Sequence, residues 1–461
     1  MNARRILLIT AVSVACAWMA LVLAYGGLHF DDFVSISESR GALSLTAGEW
    51  MKPASDGRWQ PLKRLTFDAL ARAAGLTFWP YALALAGAHL LMAAGAWSAA
   101  RAIFRDGESA LYGGLIALAS LNLSAYSIAN AGSLQGILCI ALSVWSVALA
   151  LHAASLPRGR TLWLTLSALS TLAACWYKES AVTTPALAWY GAWLASRARP
   201  FHFSEALRSV AAPAAGVALY LAVRLAFDVR LIPADSRYAL GGSPAVARNA
   251  LFLAANVLPW AVVAAVAAGA FRERARGALA DLAIMIAAAV AVALPSLLLP
   301  WTSPNFWYAA VPVASLGTAS VLHRTPRPAR AAAALALTMV LALGGVSAAA
   351  FAAGFHRWGP YSEASVQQFL TFPRHGGRIV WFDRDSHAGY GGLVRTVGPG
   401  MRLTHALRLA TGDESLEAAT CISVLVAPLY VQGPGDELYM HSAGRLEPIA
   451  TPPPGLWYCL E

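Results

Sequence analysis

The chain has 461 residues, of which 58% are hydrophobic and only 13% are charged, and its mean hydropathy is +0.55. A soluble domain contains roughly 45–50% apolar and about 25% charged residues, so this composition excludes an ordinary soluble protein. The net charge of +10 does not indicate nucleic-acid binding, because the arginines fall between apolar segments and not on one soluble face.

Apolar runs of about 20 residues, the length that crosses a bilayer, recur along the chain. They predict an all-α polytopic membrane protein with about eleven transmembrane helices in residues 1–353. The first run follows Arg4 and Arg5 and is not followed by a small-residue cleavage site, which indicates a retained anchor and not a signal peptide. The predicted spans are approximately 6–26, 79–103, 110–129, 133–153, 162–176, 181–195, 206–227, 249–270, 278–299, 306–322 and 331–353.

The basic residues of the loops predict the orientation of the chain in the membrane. Arginines occur in one alternate set of loops, whereas the short loops around 122–132 and 300–305 contain neither Lys nor Arg. The positive-inside rule therefore places the N-terminus in the cytoplasm and the C-terminal tail outside. We expect a multi-pass protein of the bacterial inner membrane with a periplasmic C-terminal domain.

Two segments outside the membrane have recognisable patterns. The long first loop, 28–78, contains WQPLKRLTFDALARAAGL, whose leucines recur near a helical period, so an amphipathic helix on the membrane surface is predicted. In the tail, 354–461, RIVWFD and CISVLVAP are typical of buried strands, with a helical stretch around 404–410 between them. A small α/β domain is therefore predicted. Cys421 and Cys459 lie in this tail, where a periplasmic location would allow a disulfide, and the sequence does not decide whether it forms.

An acidic pair, Asp31 and Asp32, follows the first span directly, in YGGLHFDDF. Adjacent carboxylates repel each other, which suits one of them to accept a proton. The alternative is that both are hydrated loop residues or cap a following helix.

Basic candidates lie at the same predicted face of the membrane. Lys178 and Glu179 interrupt the apolar run AACWYKESAVTTPAL, and Arg224 lies near the outer end of its span. A charge at bilayer depth costs roughly 2.5–3.5 kcal/mol on insertion scales, so such residues usually face a cavity or a partner. The alternatives are that Lys178 pairs with Glu179 or reaches the lipid headgroups, and Arg224 has the same ambiguity.

The first loop adds Arg58, Lys63 and Arg64, for which binding of anionic headgroups is the alternative. His89 by itself is typical of a packed histidine within a bundle. Together the acidic and basic groups predict an outer-face cavity suited to a phosphate-bearing lipid that is attacked by a hydroxyl. The chain has no His, Asp and Glu cluster with metal-ligand spacing, so no tightly bound metal or cofactor is expected.

The order of these motifs resembles the GT-C class of integral-membrane glycosyltransferases, in particular proteins similar to the protein O-mannosyltransferases. HFDDF resembles the acidic motif of that class. The first loop and second span of the class are resembled by GRWQPLKRLTFDALARAAGLTFWPYALALAGAHLL, including the position of His89. YKESAV resembles its Lys-Glu motif, and LYLAVRLA its span with a late arginine. The chain also departs from the pattern. Gln60 and Trp307 stand where the class has arginines, NLSAYSIANAGSLQG replaces a His-Pro-rich segment, and no tetratricopeptide array follows.

The resemblance implies an inverting glycosyltransferase that moves a sugar from a polyprenyl-phosphate donor to an acceptor hydroxyl at the outer face. Asp31 for preference, with Asp32 next, would take the proton of the acceptor. Glu179 would position Lys178. The lipid phosphate would be bound by Lys178, Arg224 and Lys63 or Arg64. The sugar stays open, and so does the acceptor, which could be a protein, a lipid or a glycan.

Two other functions are compatible with the sequence. A lipid or solute transporter would need discontinuous spans and polar residues near the midplane of the bilayer, whereas most spans here are rich in Ala and Leu. A polymerase or ligase of the O-antigen type would share the basic residues of the outer face. It would not need its acidic residues directly after the first span.

Overall fold

The structure is a computed structural model in which helices account for most of the described residues. These residues are 3–25, 28, 31–50, 59–121, 127–154, 156, 158–227, 229, 242–269, 275–299, 304–325, 333–346, 349, 368–371, 377–383, 401–413, 415–423, 432–442, 445–454 and 457–460. Their helices are α1 (Ala3–Tyr25), α2 (Asp31–Ser39), α3 (Ala47–Trp50), α4 (Pro61–Ala74), α5 (Phe78–Phe104), α6 (Gly107–Ala119), α7 (Leu134–Ala154), α8 (Arg160–Tyr177), α9 (Thr184–Ala198), α10 (Phe203–Ala226), α11 (Ser243–Gly269), α12 (Ala275–Leu297), α13 (Val311–Arg324), α14 (Ala333–Val346) and α15 (Met401–Thr411).

Several of these helices have the length and composition of membrane spans. In the described part of the chain, four are long and apolar enough to cross a bilayer and two more are apolar but shorter. The predicted helical membrane class is therefore confirmed, and the count of about eleven spans stays a prediction. The third span differs from its predicted range, 110–129, because α6 ends at Ala119. The four long segments are Arg5–Ala24, Phe78–Phe104, Ala131–Ala154 and Phe203–Ala226, and the two shorter ones are Leu282–Leu297 and Ala333–Val346.

Glycines allow the central helices to pack closely. A Cβ added at Gly113 of α6 would lie 2.8 Å from the Cβ of Ala100 on α5, and one at Gly114 would lie 2.9 Å from the Cβ of Trp97. No side chain fits at either position without displacing α5. Small residues have this role between membrane helices, where van der Waals packing replaces the hydrophobic effect. Helix α5 also packs against α7, and α7 against α8, so these helices form a compact frame for the loops at their ends.

The described part of the first loop contains the helices α2, α3 and α4. Helix α4 begins with Pro61 at its first turn and packs against α2 and α8. Lys63, Phe67 and Asp68 are buried on its protein side. The predicted amphipathic helix is therefore present, but its charged face is partly held by protein and does not simply lie on a membrane surface.

A buried carboxylate joins the two halves of this loop. Asp68 accepts hydrogen bonds from the N–H groups of Gly41, at 3.1 Å, and Leu43, at 2.8 Å. Gly41 has a φ of 79°, in the left-handed region that favours glycine. Arg72 approaches the same carboxylate at 3.1 Å. The turn after α2 is thus fixed against α4.

The described part of the tail contains a five-stranded sheet in the order β4-β3-β1-β2-β5. Strand β1 pairs in parallel with β2 and β3, and the two outer pairs are antiparallel. The segment RIVWFD contributes β1, and β2 contains the first three residues of CISVLVAP, with α15 between the two strands in the chain. The rest of CISVLVAP, 424–428, lies outside the described residues. Cys421 is disulfide-bonded and lies opposite Cys459 in the register of β2 and β5. The strands are β1 (Ile379–Asp383), β2 (Ala418–Ser423), β3 (Glu437–Ser442), β4 (Arg445–Ile449) and β5 (Trp457–Leu460).

The tail rests on the first loop. Helix α15 packs against both β2 and α2. Its buried Leu407 belongs to the same hydrophobic cluster as Phe33 and Ile36 of α2. The helix that begins with the acidic pair is therefore sandwiched between the membrane bundle and the tail.

We expect Asp68→Ala to lower the melting temperature in detergent, because two backbone N–H groups lose their buried acceptor, at a cost of roughly 1–3 kcal/mol. Burial raises the pKa of the Asp68 carboxyl, but the N–H groups of Leu43 and Gly41 and the guanidinium of Arg72 outweigh it and hold this pKa below its ordinary 3.8. Because the pKa of Asp68 is lower in the folded than in the unfolded protein, the ionised carboxylate stabilises the fold at pH values above 3.8. This stabilisation is lost as the pH falls through the folded-state pKa. The half-exposed Arg72 is the matched control, and Arg72→Ala should cost about 1 kcal/mol or less. Equal melting temperatures for the two variants would contradict this role of Asp68.

The predicted orientation can be tested by thiol labelling in intact cells. In a Cys16→Ser background, a membrane-impermeant maleimide should modify Leu43→Cys, since Leu43 is exposed in the first loop. The same reagent should leave Arg158→Cys unmodified until the cells are permeabilised, because the positive-inside rule places that loop in the cytoplasm. The reverse pattern of labelling would invert the topology.

Candidate active site

The acidic pair begins helix α2, and one of its carboxylates is tied to the membrane bundle. Asp32 is fully buried, and the backbone N–H of Gly132 donates a short hydrogen bond to its Oδ1. Gly132 lies in the 3-10 turn Ala131–Ser133, immediately before α7. The contact orients α2 against the N-terminal end of α7, where exposed N–H groups favour a carboxylate. The side chain of Asp31 lies outside the described part of the structure.

Lys178 approaches the same end of α7. It follows α8 in an extended conformation, with φ −159° and ψ 132°, and its Nζ lies 5.5 Å from the centroid of the Phe306 ring. The same Nζ lies 3.8 Å from the position that a Cβ would take at Gly136. Gly132 and Gly136 are four residues apart, which is about 6 Å of helical rise. The first turns of α7 therefore bring the carboxylate of Asp32 and the ammonium of Lys178 into one region.

Glu179 has different partners from those expected. Its Oε2 accepts a 2.8 Å hydrogen bond from Nε2 of Gln60, and its Oε1 lies 3.8 Å from Nη1 of Arg224. Because Lys178 is extended, neighbouring side chains point to opposite sides of the backbone. Among the described residues, the Glu179 carboxylate thus engages Gln60 and Arg224, and its role in positioning Lys178 stays a prediction.

The cations of the first loop are only partly brought to this region. Lys63 is buried in α4, and its Nζ lies 3.8 Å from Oε2 of Glu38 on α2. Arg64 follows it and is half-buried. Arg58 lies outside the described residues. Lys63 is therefore held against the helix that carries the acidic pair, which fits a role near that pair more closely than exposure to headgroups.

His89 stays within the bundle and is satisfied by protein groups. One ring nitrogen, Nδ1, lies 2.8 Å from the hydroxyl of Tyr308, and Nε2 lies 2.9 Å from the carbonyl oxygen of Leu118. Its side chain joins α5 to α6 and to the turn before α13. This arrangement fits the packed-histidine alternative, and a substrate-binding role for His89 stays a prediction.

The sequence alone did not single out the aromatic residues beside this region. Trp59 is fully buried, stacks on Tyr220 and meets the edge of Trp176. Each of these aromatic residues is close in the sequence to a polar or charged residue of the motifs. Trp59 directly precedes Gln60, Trp176 lies two residues before Lys178, and Tyr220 lies four residues before Arg224. A signal was therefore available in GRWQPLK and LYLAVRLA, but an apolar ring beside a charge is too common in membrane proteins to be selected by itself.

No protein-family model and no curated protein sequence matches the chain. Solved structures do match, among them two of one protein. The apo structure of ArnT from Cupriavidus metallidurans matches with a TM-score of 0.55 at 15% identity, over 90% of this chain and 92% of ArnT. The structure of the same protein bound to undecaprenyl phosphate matches with a TM-score of 0.53 at 15% identity, over 90% and 93%.

The chain has the ArnT fold. The likeness covers 90% of this chain, and it confirms a helical fold like that of ArnT. At this identity the comparison concerns the fold, and the chemistry has to be argued from the residues of this chain.

Proposed function

We propose that this chain is a membrane glycosyltransferase that moves a sugar from a polyprenyl-phosphate donor to an acceptor hydroxyl. The observation that carries the proposal is that Asp32, one of the acidic pair, and Lys178 both lie at the first turns of α7. An acid and a cation at one membrane-level site are what such a transfer needs. One takes a proton from the attacking hydroxyl, and the other stabilises the phosphate that leaves.

The donor class is supported by the fold. ArnT from Cupriavidus metallidurans has been crystallised with undecaprenyl phosphate, and it matches this chain over 90% of its length. The polar candidates of this chain gather at one end of an apolar bundle, which suits a lipid whose phosphate lies at the membrane surface. The same match makes a transporter or an O-antigen-type polymerase a weaker account of the chain.

The two acidic residues have different tasks in this proposal. Asp32 is fully buried and bound by the N–H of Gly132, so it holds α2 in place. A carboxylate engaged in this way is poorly placed to take a proton from a substrate, which leaves that task to its neighbour. We assign Asp31 as the base that takes the proton from the acceptor as its oxygen attacks the anomeric carbon, with inversion.

Lys178 is the main phosphate ligand in this proposal. Its ammonium lies over Phe306 and beside Gly136, a position without a side chain that leaves space next to the cation. Lys63, on α4, is the second candidate, with Arg64 beside it. As the bond between the sugar and the phosphate breaks, these cations stabilise the negative charge that accumulates on the departing polyprenyl phosphate. We place this reaction on the periplasmic face, in accord with the distribution of arginines.

The division of labour between the two aspartates gives a first test. We expect Asp31→Asn to lower kcat for sugar transfer by about 10²–10⁴-fold with little change in the KM of the donor, as for loss of a general base. Asp32→Asn should retain most of the activity, because the amide oxygen can still accept the hydrogen bond from Gly132. Asp32→Ala should lower both activity and melting temperature. Transfer in isolated membranes from a radiolabelled polyprenyl-phosphate sugar measures all three variants. An active Asp31→Asn beside an inactive Asp32→Asn would reverse our assignment.

The role of Lys178 gives a second test. Loss of a charge-assisted contact costs about 1.5–3 kcal/mol, so Lys178→Met should reduce kcat/KM for the donor about 10- to 100-fold. Lys178→Arg keeps the charge and should retain more activity. Binding of free undecaprenyl phosphate should weaken in the same order. Arg158→Met, in a loop predicted on the other side of the membrane, is the matched control. Unchanged donor kinetics in Lys178→Met would remove Lys178 from the site.

A further inference from the structure

Two residues at the start of helix α4 are held between the ends of two membrane helices. Trp59 is fully buried, and its ring stacks on Tyr220 of α10 at a centroid distance of 5.5 Å and an angle of 23°. The same ring meets Trp176 of α8 edge-on at 6.3 Å. Gln60, also buried, donates its 2.8 Å hydrogen bond to Glu179, just beyond α8.

The charges around Gln60 are balanced within the protein. Arg224 is 1% exposed, its Nη1 lies 3.8 Å from Oε1 of Glu179, and the same Nη1 donates a short hydrogen bond to the hydroxyl of Tyr220. A guanidinium so deep in an apolar bundle is costly unless an opposite charge accompanies it. Glu179 supplies that charge, so the environment of Arg224 does not require a donor phosphate.

We propose that Trp59, Gln60, Glu179, Tyr220 and Arg224 form a clamp that fixes the start of α4 on the ends of α8 and α10. We name this set the loop clamp. In it, Arg224 is a positioning residue and not a ligand of the donor phosphate, which revises the assignment made from its sequence motif. The inference rests on the proposed function, because its consequence is that the clamp sets where Lys63 and Arg64 lie.

The contacts beyond the clamp support this consequence. Lys63 and Arg64 follow Gln60 within one helical turn. Thr66, another residue of α4, places its hydroxyl 2.9 Å from the hydroxyl of Tyr177 at the end of α8. Helix α4 is therefore attached to α8 at two levels, and loosening the clamp would free the end that carries the cations.

The neutral side chain of Gln60 fits this arrangement. An arginine at this position, as in the glycosyltransferases that the motif resembles, would place a second guanidinium beside Glu179. With glutamine, one carboxylate faces one guanidinium, and the amide adds a hydrogen bond without adding charge. The departure from the family motif is therefore consistent with Arg224 serving as the counterion of Glu179.

A double-mutant comparison separates positioning from phosphate binding. Arg224→Gln leaves the carboxylate of Glu179 without its cation, and we expect kcat/KM for transfer to fall about tenfold or more, a coupling typical of residues in contact. Adding Glu179→Gln removes the uncompensated charge and leaves Gln60 an amide oxygen to donate to. The double variant should recover to within about threefold of the original activity, with an unchanged donor KM. A double variant that is as impaired as Arg224→Gln, with a raised donor KM, would make Arg224 a phosphate ligand and overturn the inference.

A second readout does not depend on activity. Thr66→Cys places a thiol on α4 at its contact with Tyr177, and its rate of maleimide labelling reports how firmly α4 is held. We expect labelling to accelerate when Arg224→Gln or Gln60→Ala is added, and to slow again in Glu179→Gln/Arg224→Gln. Asp31→Asn should leave the rate unchanged. Equal labelling rates of Thr66→Cys in all these variants would show that no clamp fixes α4. If the rates change as expected but the protein transfers no sugar, the clamp stands and only the proposed function is contradicted.

Discussion

The arrangement of this site depends on the requirement that charged side chains at bilayer depth find partners within the protein. A bilayer cannot solvate them, so each buried charge must be matched by another segment of the chain. Glu179 meets this requirement twice, with Gln60 from the first loop and Arg224 from α10. One carboxylate thereby connects three distant segments. The same constraint explains why the polar candidates gather at one end of a bundle whose interior is otherwise apolar.

The N-terminal end of α7 is the other organising feature. Its exposed N–H groups attract a carboxylate, and Gly132 binds Asp32 there. One turn further on, the absence of a side chain at Gly136 leaves room for the ammonium of Lys178. Both glycines belong to the segment that departs from the resembled family. This segment therefore contributes a backbone N–H group and the space beside a glycine to the site.

The sequence predicted the features that depend on local patterns. The acidic pair, the Lys-Glu turn, α4 and the strands each have a period or a composition that can be recognised within a few residues. The pairings between segments could not be predicted in this way, because Gln60 and Glu179 are 119 residues apart in the chain. The pairing of Glu179 with Arg224 likewise joins residues that are far apart in the chain.

The tail explains why α2 can hold its residues in a fixed position. Thr404 of α15 accepts a 3.0 Å hydrogen bond from the N–H of Ala418 and donates one of 3.2 Å to its carbonyl oxygen, so α15 is fastened to β2. Helix α15 in turn packs on α2, which is also bound through Asp32 to Gly132. A reactive carboxylate on a helix supported by two parts of the protein loses little entropy when it meets its substrate. The tail is thus part of the structure that supports the helix of the proposed base.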